Sequence, residues 1–154
     1  MRLTVAAVGK PRNAAIAAAI RDYETRAARY WPLDVHEVRE ERATGGVTPK
    51  IVSDREGERL AEKVGDSRIV ACDPNGKSLS SEKFAGWLQH EREMDRDTAF
   101  VIGGAFGLCE SILRKATMKI SLAPWTLPHE LARLVLAEQL YRAGSIVRGE
   151  PYHK

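Results

Sequence analysis

The 154-residue sequence contains only two cysteines, and no apolar run in it approaches the length of a membrane span. Cys72 and Cys109 form no CxxC pair and show no metal-ligand spacing, so we expect two reduced thiols and no metal site. The apolar stretch at the amino terminus is too short for a signal peptide and is typical of a first strand. These absences predict a cytoplasmic protein with no membrane partner.

Several catalytic motifs are also missing. The sequence has neither a P-loop G-x-x-x-x-G-K-[ST] nor a G-x-S-x-G nucleophile elbow. His129-Glu130 begins the zinc-protease motif H-E-x-x-H, but Arg133 stands where the second histidine belongs. A glycine-rich stretch resembles the dinucleotide fingerprint G-x-G-x-x-G, yet Ala105 occupies the position of the second glycine. A Rossmann-like oxidoreductase therefore remains only a weak alternative.

The charge balance does not identify a partner. The chain has 24 Lys and Arg against 21 Asp and Glu, a net charge of +3. This small excess permits an anionic partner without establishing one, because most charges coat solvated helix faces. No internal repeat, low-complexity tract or linker interrupts the sequence, so we expect a single domain over residues 1–154.

Short apolar runs alternate with amphipathic segments along the whole chain. The expected strands are 3–8, 33–38, 68–72, 98–102 and 118–122, and the expected helices are 13–30, 48–64, 81–97, 110–117 and 129–147. Asp73-Pro74-Asn75-Gly76 predicts a turn after the third strand. This alternation is typical of an α/β fold with a mainly parallel sheet covered by helices on both faces.

The last predicted helix carries two apolar stripes rather than one. Leu127, Leu131, Leu134 and Val135 form the first stripe, and Leu136, Leu140, Ala143 and Val147 form the second on nearly the opposite side. One stripe can pack on the chain's own sheet, and the other then needs a cover, for which a second subunit is the economical choice. The alternative is a helix enclosed within one chain. If the second stripe faces the partner, Leu140→Glu should weaken the dimer.

Two loops are expected to form a ligand site. Gly103-Gly104-Ala105-Phe106-Gly107 follows the fourth strand, and 122–129 follows the fifth. In an open α/β sheet, ligands bind at the carboxyl ends of the strands. Glycines let the backbone approach a ligand closely, so we expect a side chain at Gly104 to occupy space that the ligand needs.

Several short motifs together show a family resemblance. They are Ile102-Gly103-Gly104-x-x-Gly107-Leu108, Ser121-Leu122, Thr126-Leu127-Pro128-His129, Glu138-Gln139-Leu140-Tyr141-Arg142-Ala143 and Pro151-Tyr152-His153. The resemblance also includes Val8-Gly9-Lys10, the Glu56-Gly57 region and Arg68-Ile69-Val70. Each motif alone is weak, but their order, their spacing and the chain ending make the match specific, and it extends over the whole chain. The sequence resembles the RlmH (YbeA) family of minimal SPOUT methyltransferases.

The resemblance implies a SPOUT fold with a deep C-terminal trefoil knot, a homodimer, and S-adenosyl-L-methionine (SAM) as methyl donor. Its substrate would be N3 of a pseudouridine in a stem-loop of 23S ribosomal RNA (rRNA) in the assembled ribosome. The main alternative is a non-enzymatic RNA- or ribosome-binding protein with the same fold. Carried over to this sequence, the donor-binding residues would be Cys72, Gly103, Gly104, Leu122, Ala123, Pro124, Trp125, Thr126 and Leu127.

The implied reaction needs a base and a cation, because an imide nitrogen becomes nucleophilic only as it loses its proton. His129 and Tyr152 are candidates for proton handling, and Arg142 and Lys154 for charge stabilisation or phosphate contact. Each has a structural alternative: His129 could simply start a helix, Arg142 could complete an i,i+4 pair with Glu138, and the tail could be frayed. The candidate catalytic residues are His129, Arg142, Tyr152, His153 and Lys154.

Three positions depart from the family pattern. Cys72 stands where relatives often have leucine, residues 105–107 replace a frequent Pro-Glu-Gly, and Lys154 replaces a common arginine. The first two changes remove no backbone contact, so we expect donor binding to be retained. Lysine keeps the positive charge at the chain end but loses the planar guanidinium.

Overall fold

The computed structural model describes residues 1–154, which build one five-stranded parallel sheet with the strand order β2-β1-β4-β3-β5. The strands are β1 (Leu3–Val8), β2 (Leu33–Val38), β3 (Arg68–Ser78), β4 (Thr98–Ile102) and β5 (Met118–Ser121). The helices are α1 (Ala14–Ala27), α2 (Pro49–Val64), α3 (Ser81–Glu93), α4 (Glu110–Lys115) and α5 (His129–Val147). None of these helices combines the length and the apolar character that a membrane crossing requires.

Both faces of the sheet are covered, as the alternation of strands and helices predicted. Side chains alternate between the faces along each strand, so Val5 and Ala6 of β1 enter different core clusters. The cluster on one face includes buried residues of α3 and α5 and the last residue of α1. The cluster on the other face includes Leu60 and Val64 of α2 and Ile112 of α4. The predicted α/β fold class is therefore confirmed.

Helices α1 and α2 begin directly after the capping residues that the sequence predicted, but α1 ends earlier than predicted. The Asn13 side chain accepts hydrogen bonds from the second and third backbone N–H groups of α1, and Thr48 Oγ1 accepts one at the start of α2. The prediction that the first helix reaches residue 30 is wrong, since α1 ends at Ala27. The chain turns inward there because Trp31 is buried and its indole N–H donates to the Leu140 carbonyl at 2.9 Å.

The end of β3 also differs from expectation. The prediction that β3 stops at Cys72 before a turn is wrong, because the strand continues to Ser78 and pairs again with β5 at Lys77. Residues 73–76 form a bulge between the two paired stretches. A side chain on Gly76 would lie 2.6 Å from the Ile120 backbone, so this position has room only for glycine. The bulge brings Asp73 to the carboxyl edge of the sheet.

The two stripes of α5 have opposite environments. Leu136, Leu140 and Ala143 are buried in the core between the sheet and the neighbouring helices, so the stripe that contains Leu140 belongs to the chain's own fold. Leu131, on the other stripe, is 36% exposed. The suggestion that Leu140→Glu would test a dimer is therefore wrong, and the first stripe is the one that lacks a cover within the chain.

We expect Leu140→Glu to destabilise the fold itself. A carboxylate in place of a fully buried leucine has no partner in an apolar core, so the free energy of unfolding should fall by at least about 3 kcal/mol. Leu131→Glu on the exposed stripe should leave the unfolding midpoint of the monomer nearly unchanged. Urea denaturation at low protein concentration measures both, and equal effects of the two substitutions would contradict the assignment of the stripes.

Candidate functional site

Loops from β3, β4 and β5 converge at the carboxyl edge of the sheet and enclose a cleft, which the first turn of α5 closes. Parallel strands present their carboxyl ends at one edge, so this position is the one expected for a ligand in an open α/β sheet. The residues that line the cleft are Cys72, Asp73, Pro74, Ile102, Gly103, Gly104, Ala105, Gly107, Ser121, Leu122, Ala123, Trp125, Thr126, Leu127, His129 and Ala132.

The cleft contains every residue that the resemblance assigned to donor binding except Pro124. It also contains residues that sequence reasoning missed, among them Asp73, Ser121 and Ala132. Asp73 is missing from the prediction because the bulge in β3 was expected to be an ordinary turn. Ala132 lies one turn after His129 on α5, so helical spacing could have suggested it.

The loop Gly103–Gly107, which we call the glycine loop, folds tightly back on itself. The Gly107 N–H donates to the Gly104 carbonyl at 3.1 Å. A side chain on Gly103 would lie 2.6 Å from the carbonyl carbon of Gly107 and 2.8 Å from the Leu108 nitrogen. Gly107 itself has φ of +76°, a conformation that other residues rarely adopt. The loop can therefore keep this shape only with glycine at both of its ends.

Gly104 is glycine for a different reason from the one expected. A side chain there would point into the protein, 2.8 Å from Glu56 Oε1 and 3.0 Å from Val8 Cγ1. It would collide with Glu56 and Val8, which pack against the loop from inside the protein, and would not enter the cleft. The steric argument drawn from the sequence is thus wrong, although Gly104 does line the cleft.

Glu56 is the buried support of the glycine loop. Its side chain is 2% exposed, Oε2 accepts a hydrogen bond from the Glu41 N–H at 3.0 Å, and Oε1 has no partner. Burial raises the pKa of Glu56 above its ordinary value, against the effect of that hydrogen bond. The sequence contained a signal for this residue, because a glutamate interrupts the apolar i,i+4 series of Val52, Leu60 and Val64 on α2.

Cys72 forms part of the apolar floor of the cleft. Desolvation by burial raises the pKa of the Cys72 thiol to about 12, so the group stays neutral at physiological pH. A neutral thiol is a poor nucleophile. The substitution of cysteine for an apolar residue at this position therefore leaves the chemical character of the floor unchanged.

His129 is the only candidate catalytic residue that lines the cleft. It is the first residue of α5, and its Nε2 would lie 3.8 Å from a side chain placed on Gly9, at the end of β1. The imidazole makes no hydrogen bond within the chain. It is therefore free to contact a molecule that occupies the cleft.

The other candidate catalytic residues form a separate cluster. Arg142 belongs to the second half of α5, and the chain end that follows the helix packs against it. Tyr152 donates to Glu138 Oε1 at 3.0 Å, and Arg142 forms an ion pair with the same carboxylate. His153 lies 3.2 Å from Arg142 Nη1 through Nδ1, and 2.8 Å from Glu82 Oε1 through Nε2. We call Arg142, Tyr152, His153 and the exposed Lys154 the tail cluster.

The tail is held in place rather than frayed. The Tyr152 ring packs 4.5 Å from the Tyr141 ring, measured between centroids. Glu82, at the start of α3, has its pKa lowered to about 2 by its own backbone N–H and by His153. These contacts fix the chain end against α3 and α5.

One chain does not bring the tail cluster to the cleft. Arg142 follows His129 by 13 residues on one continuous helix, a distance of about 20 Å along its axis. Arg142, Tyr152, His153 and Lys154 do not line the cleft. Within a single subunit, the predicted catalytic set is therefore divided between the start of α5, where His129 lies, and its second half, where the other four residues cluster.

Comparison with known proteins identifies the family. The sequence model of the predicted SPOUT methyltransferases matches residues 1–153. The chain belongs to the SPOUT methyltransferase family. It is 56% identical over 155 residues to the ribosomal RNA large subunit methyltransferase H of Gemmatimonas aurantiaca, with all of both chains covered.

Other SPOUT relatives agree over the same length. The protein of the same name from an Anaeromyxobacter species is 44% identical over 155 residues, again with all of both chains covered. Among solved structures, a probable methylase family protein from Haemophilus influenzae superimposes with a TM-score of 0.59 at 14% identity, covering 99% of this chain and 70% of that one. This last likeness supports the SPOUT fold only.

We expect Gly104→Ala to destabilise this SPOUT chain, because the new methyl group would press on Glu56 and Val8. The free energy of unfolding should fall by about 1 to 3 kcal/mol. Gly86→Ala is the matched control, since a side chain there meets nothing within 4 Å and glycine is unfavourable within a helix. Chemical denaturation measures both variants. Equal stability of Gly104→Ala and the parent would contradict the contact with Glu56.

A second prediction concerns pH. The pKa of Glu56 is raised in the folded state, so folding favours the protonated form, and its contribution to stability is lost as the pH rises above about 4.5. Glu56→Gln stays neutral and should exceed the parent in stability by about 1 kcal/mol at pH 8 but not at pH 4. Glu58→Gln, an exposed change on the same helix, is the control. Parallel pH profiles for Glu56→Gln and the parent would refute the prediction.

Proposed function

We propose that the protein transfers a methyl group from SAM to N3 of a pseudouridine in a stem-loop of 23S rRNA within the assembled ribosome. The observation that carries the proposal is the cleft between the glycine loop and residues 122–127, in a chain that matches rRNA methyltransferases over its full length.

The cleft suits the proposed donor. Leu122 and Leu127 supply apolar walls for a nucleoside, and the backbone of Gly103 and Gly104 offers polar groups at close range because neither residue has a side chain. Asp73 is the one carboxylate at the cleft and gives a positively charged ligand a partner. When bound, SAM supplies an activated methyl group on its sulfonium.

The chain's own residues have two tasks in this reaction. They must hold the acceptor nitrogen in line with the methyl group, and they must remove or share its proton. His129 lies at the cleft with a free imidazole, so we assign it to proton handling. Arg142, Tyr152, His153 and Lys154 are assigned to the acceptor base, its developing negative charge and its phosphate.

This assignment requires a second subunit. In one chain the tail cluster packs along the second half of α5 and lines no part of the cleft at the start of that helix, so we infer that a complete site needs the tail of a partner. The exposed stripe of α5 that includes Leu131 offers an apolar surface for such a partner. We therefore infer a homodimer in which each cleft receives the tail of the other subunit.

The proposed function has a direct test. Mass mapping of 23S rRNA from a strain that lacks the gene should show one pseudouridine without its N3 methyl group, and the purified protein with SAM should restore that group on ribosomes. Calorimetry should detect S-adenosylhomocysteine but not NAD. A non-enzymatic RNA-binding protein of the same fold would restore nothing, and binding of NAD alone would indicate an oxidoreductase.

We expect removal of residues 152–154 to abolish methyl transfer and to spare binding of S-adenosylhomocysteine. The tail lies outside the cleft, so its loss should not alter the donor site. The measurements are methylation of ribosomes and calorimetry on the same preparation. Full activity of the truncated homodimer would reject a catalytic tail.

Mixed dimers, purified through two different affinity tags, can show which cleft the tail serves. The second lesion is a blocked cleft, for example Ala132→Phe, once calorimetry has shown that it no longer binds the donor. When the two lesions lie on different subunits, a tail that acts across the interface leaves one whole site and about half the activity, whereas a tail that serves its own cleft leaves none. Lesions on the same subunit reverse these results, which provides the matched control.

A further inference from the structure

A second concave surface lies beside the donor cleft, between the glycine loop and the loops that follow β1 and β2. We call it the arginine groove. Its cationic and aromatic lining consists of Lys10, Arg12, Arg39, Arg42 and Phe106. Four carboxylates, those of Glu37, Glu40, Glu41 and Glu56, also line it.

Three of the four carboxylates of the groove form ion pairs within the protein. Glu37 pairs with Arg133 at 2.7 Å, Glu40 with Arg12 at 2.9 Å, and Glu41 with Arg55 at 3.3 Å and with Arg59. Glu56 has no cationic partner, but its side chain is buried under the glycine loop. The groove therefore presents no exposed carboxylate without an ion pair.

Three cations of the groove have no such partner. Lys10, Arg39 and Arg42 are exposed, and their side chains form no ion pair, although the backbone carbonyl of Arg39 accepts a hydrogen bond from Arg59 at 2.7 Å. The result is a local positive excess in a chain whose total charge is nearly balanced. Such an excess in a concave surface attracts a polyanion.

Phe106 adds an aromatic surface to these charges. It stands at the tip of the glycine loop, lines the groove and is 47% exposed, so its ring is accessible to a ligand there. An aromatic ring beside unpaired cations is the combination with which proteins bind single-stranded nucleic acid, because bases stack on the ring while cations contact the phosphates.

The groove is continuous with the donor cleft. Ala105 lines both surfaces, so only the thickness of the glycine loop separates them. On the other side, Gly9 lines the groove and lies close to the His129 imidazole of the cleft. A strand that crosses the groove is thereby led to the place where the methyl group is transferred.

We propose that the arginine groove binds the single-stranded RNA next to the target nucleotide, with Lys10, Arg39 and Arg42 on its phosphates and Phe106 stacked on a neighbouring base. This inference rests on the proposed rRNA methylation and assigns the substrate surface that the donor cleft lacks. A nucleotide strand supplies a matching group for each of these side chains, phosphates for the three unpaired cations and a base for the exposed ring.

The test uses the full-length dimer with Lys10→Gln, Arg39→Gln and Arg42→Gln combined. Its control removes charge at the opposite edge of the sheet, through Lys63→Gln and Lys115→Gln, both exposed positions at helix ends remote from the cleft. Affinity for 70S ribosomes from the deletion strain, and for protein-free 23S rRNA, is measured over a range of salt concentrations. Binding of S-adenosylhomocysteine and the kinetics of methylation are measured on the same samples.

We expect the triple variant to bind both RNA samples at least about tenfold more weakly than the control and to raise KM with little change in kcat. The slope of log affinity against log salt should fall by about 2, at roughly 0.7 per phosphate contact. Affinity for S-adenosylhomocysteine should not change. RNA binding equal to that of the control would overturn the proposal, and so would weaker binding to ribosomes alone, which would indicate a ribosomal protein as partner.

Phe106→Leu tests the stacking contact separately. Leucine keeps the apolar surface but not the ring, so affinity for RNA should fall at least about fivefold, and Phe106→Tyr should restore it. Because RNA binding is measured directly, this proposal can be tested separately from the proposed methylation. If the parent methylates nothing but the variants still lose RNA binding, the groove stands and the proposed function fails. If the parent methylates rRNA and the variants bind like the parent, the groove fails alone.

Discussion

Two adjacent glycines, neither of which has room for a side chain, determine the shape of the loop at the carboxyl edge of this sheet. Gly103 is pressed against the returning backbone at Gly107, and Gly104 against Glu56 and Val8. The glycine loop is consequently thin, and its two sides form two different surfaces, the donor cleft and the arginine groove. A bulkier loop would separate them, so the constraint that shapes the loop also keeps the proposed donor site and the proposed RNA surface adjacent.

The fold also produces an uneven distribution of charge at this edge of the sheet. The composition is nearly neutral, and from counts alone the chain has no marked preference for an anion. The fold changes this, since acids of the groove are engaged by arginines on other elements, such as Arg133 of α5 and Arg59 of α2. These ion pairs occupy carboxylates of the groove, whereas Lys10, Arg39 and Arg42 remain exposed and unpaired. The net charge of the chain therefore does not reveal the positive excess of the arginine groove, which follows from the ion pairs at this edge of the sheet.

Sequence reasoning succeeded where the cause is local and failed where it is not. Asn13 and Thr48 cap the helices they were expected to cap, because a capping residue acts on backbone groups two or three positions away. The bulge in β3 depends on pairing with β5, far along the chain, so Asp73 and its neighbours were read as an isolated turn. Periodicity likewise revealed both stripes of α5 but not which one the sheet covers.

The candidate site shows the same division. The family pattern located the cleft, and nearly all of the residues carried over from it line the cleft. The buried role of Glu56 and the inward direction of a side chain on Gly104 depend on how α2 packs under the glycine loop, which no motif records. The distance between His129 and Arg142 could be predicted from helix length alone, since they lie 13 positions apart on one continuous helix, whereas the return of the tail to this helix could not.

Hydrogen bonding within the chain also distinguishes the candidate bases. Arginine has only donors, so His153 must accept from Arg142 through Nδ1, and its Nε2 then carries a proton that it donates to Glu82. Burial, together with hydrogen bonds to Tyr23 and Glu138, raises the pKa of Tyr152, so the phenol keeps its proton. Both tail groups thus carry their protons and donate them to carboxylates of the chain, so neither fits the role of base in the proposed reaction. His129 alone has an unengaged imidazole at the cleft, which favours it as the group that accepts the proton of the acceptor nitrogen.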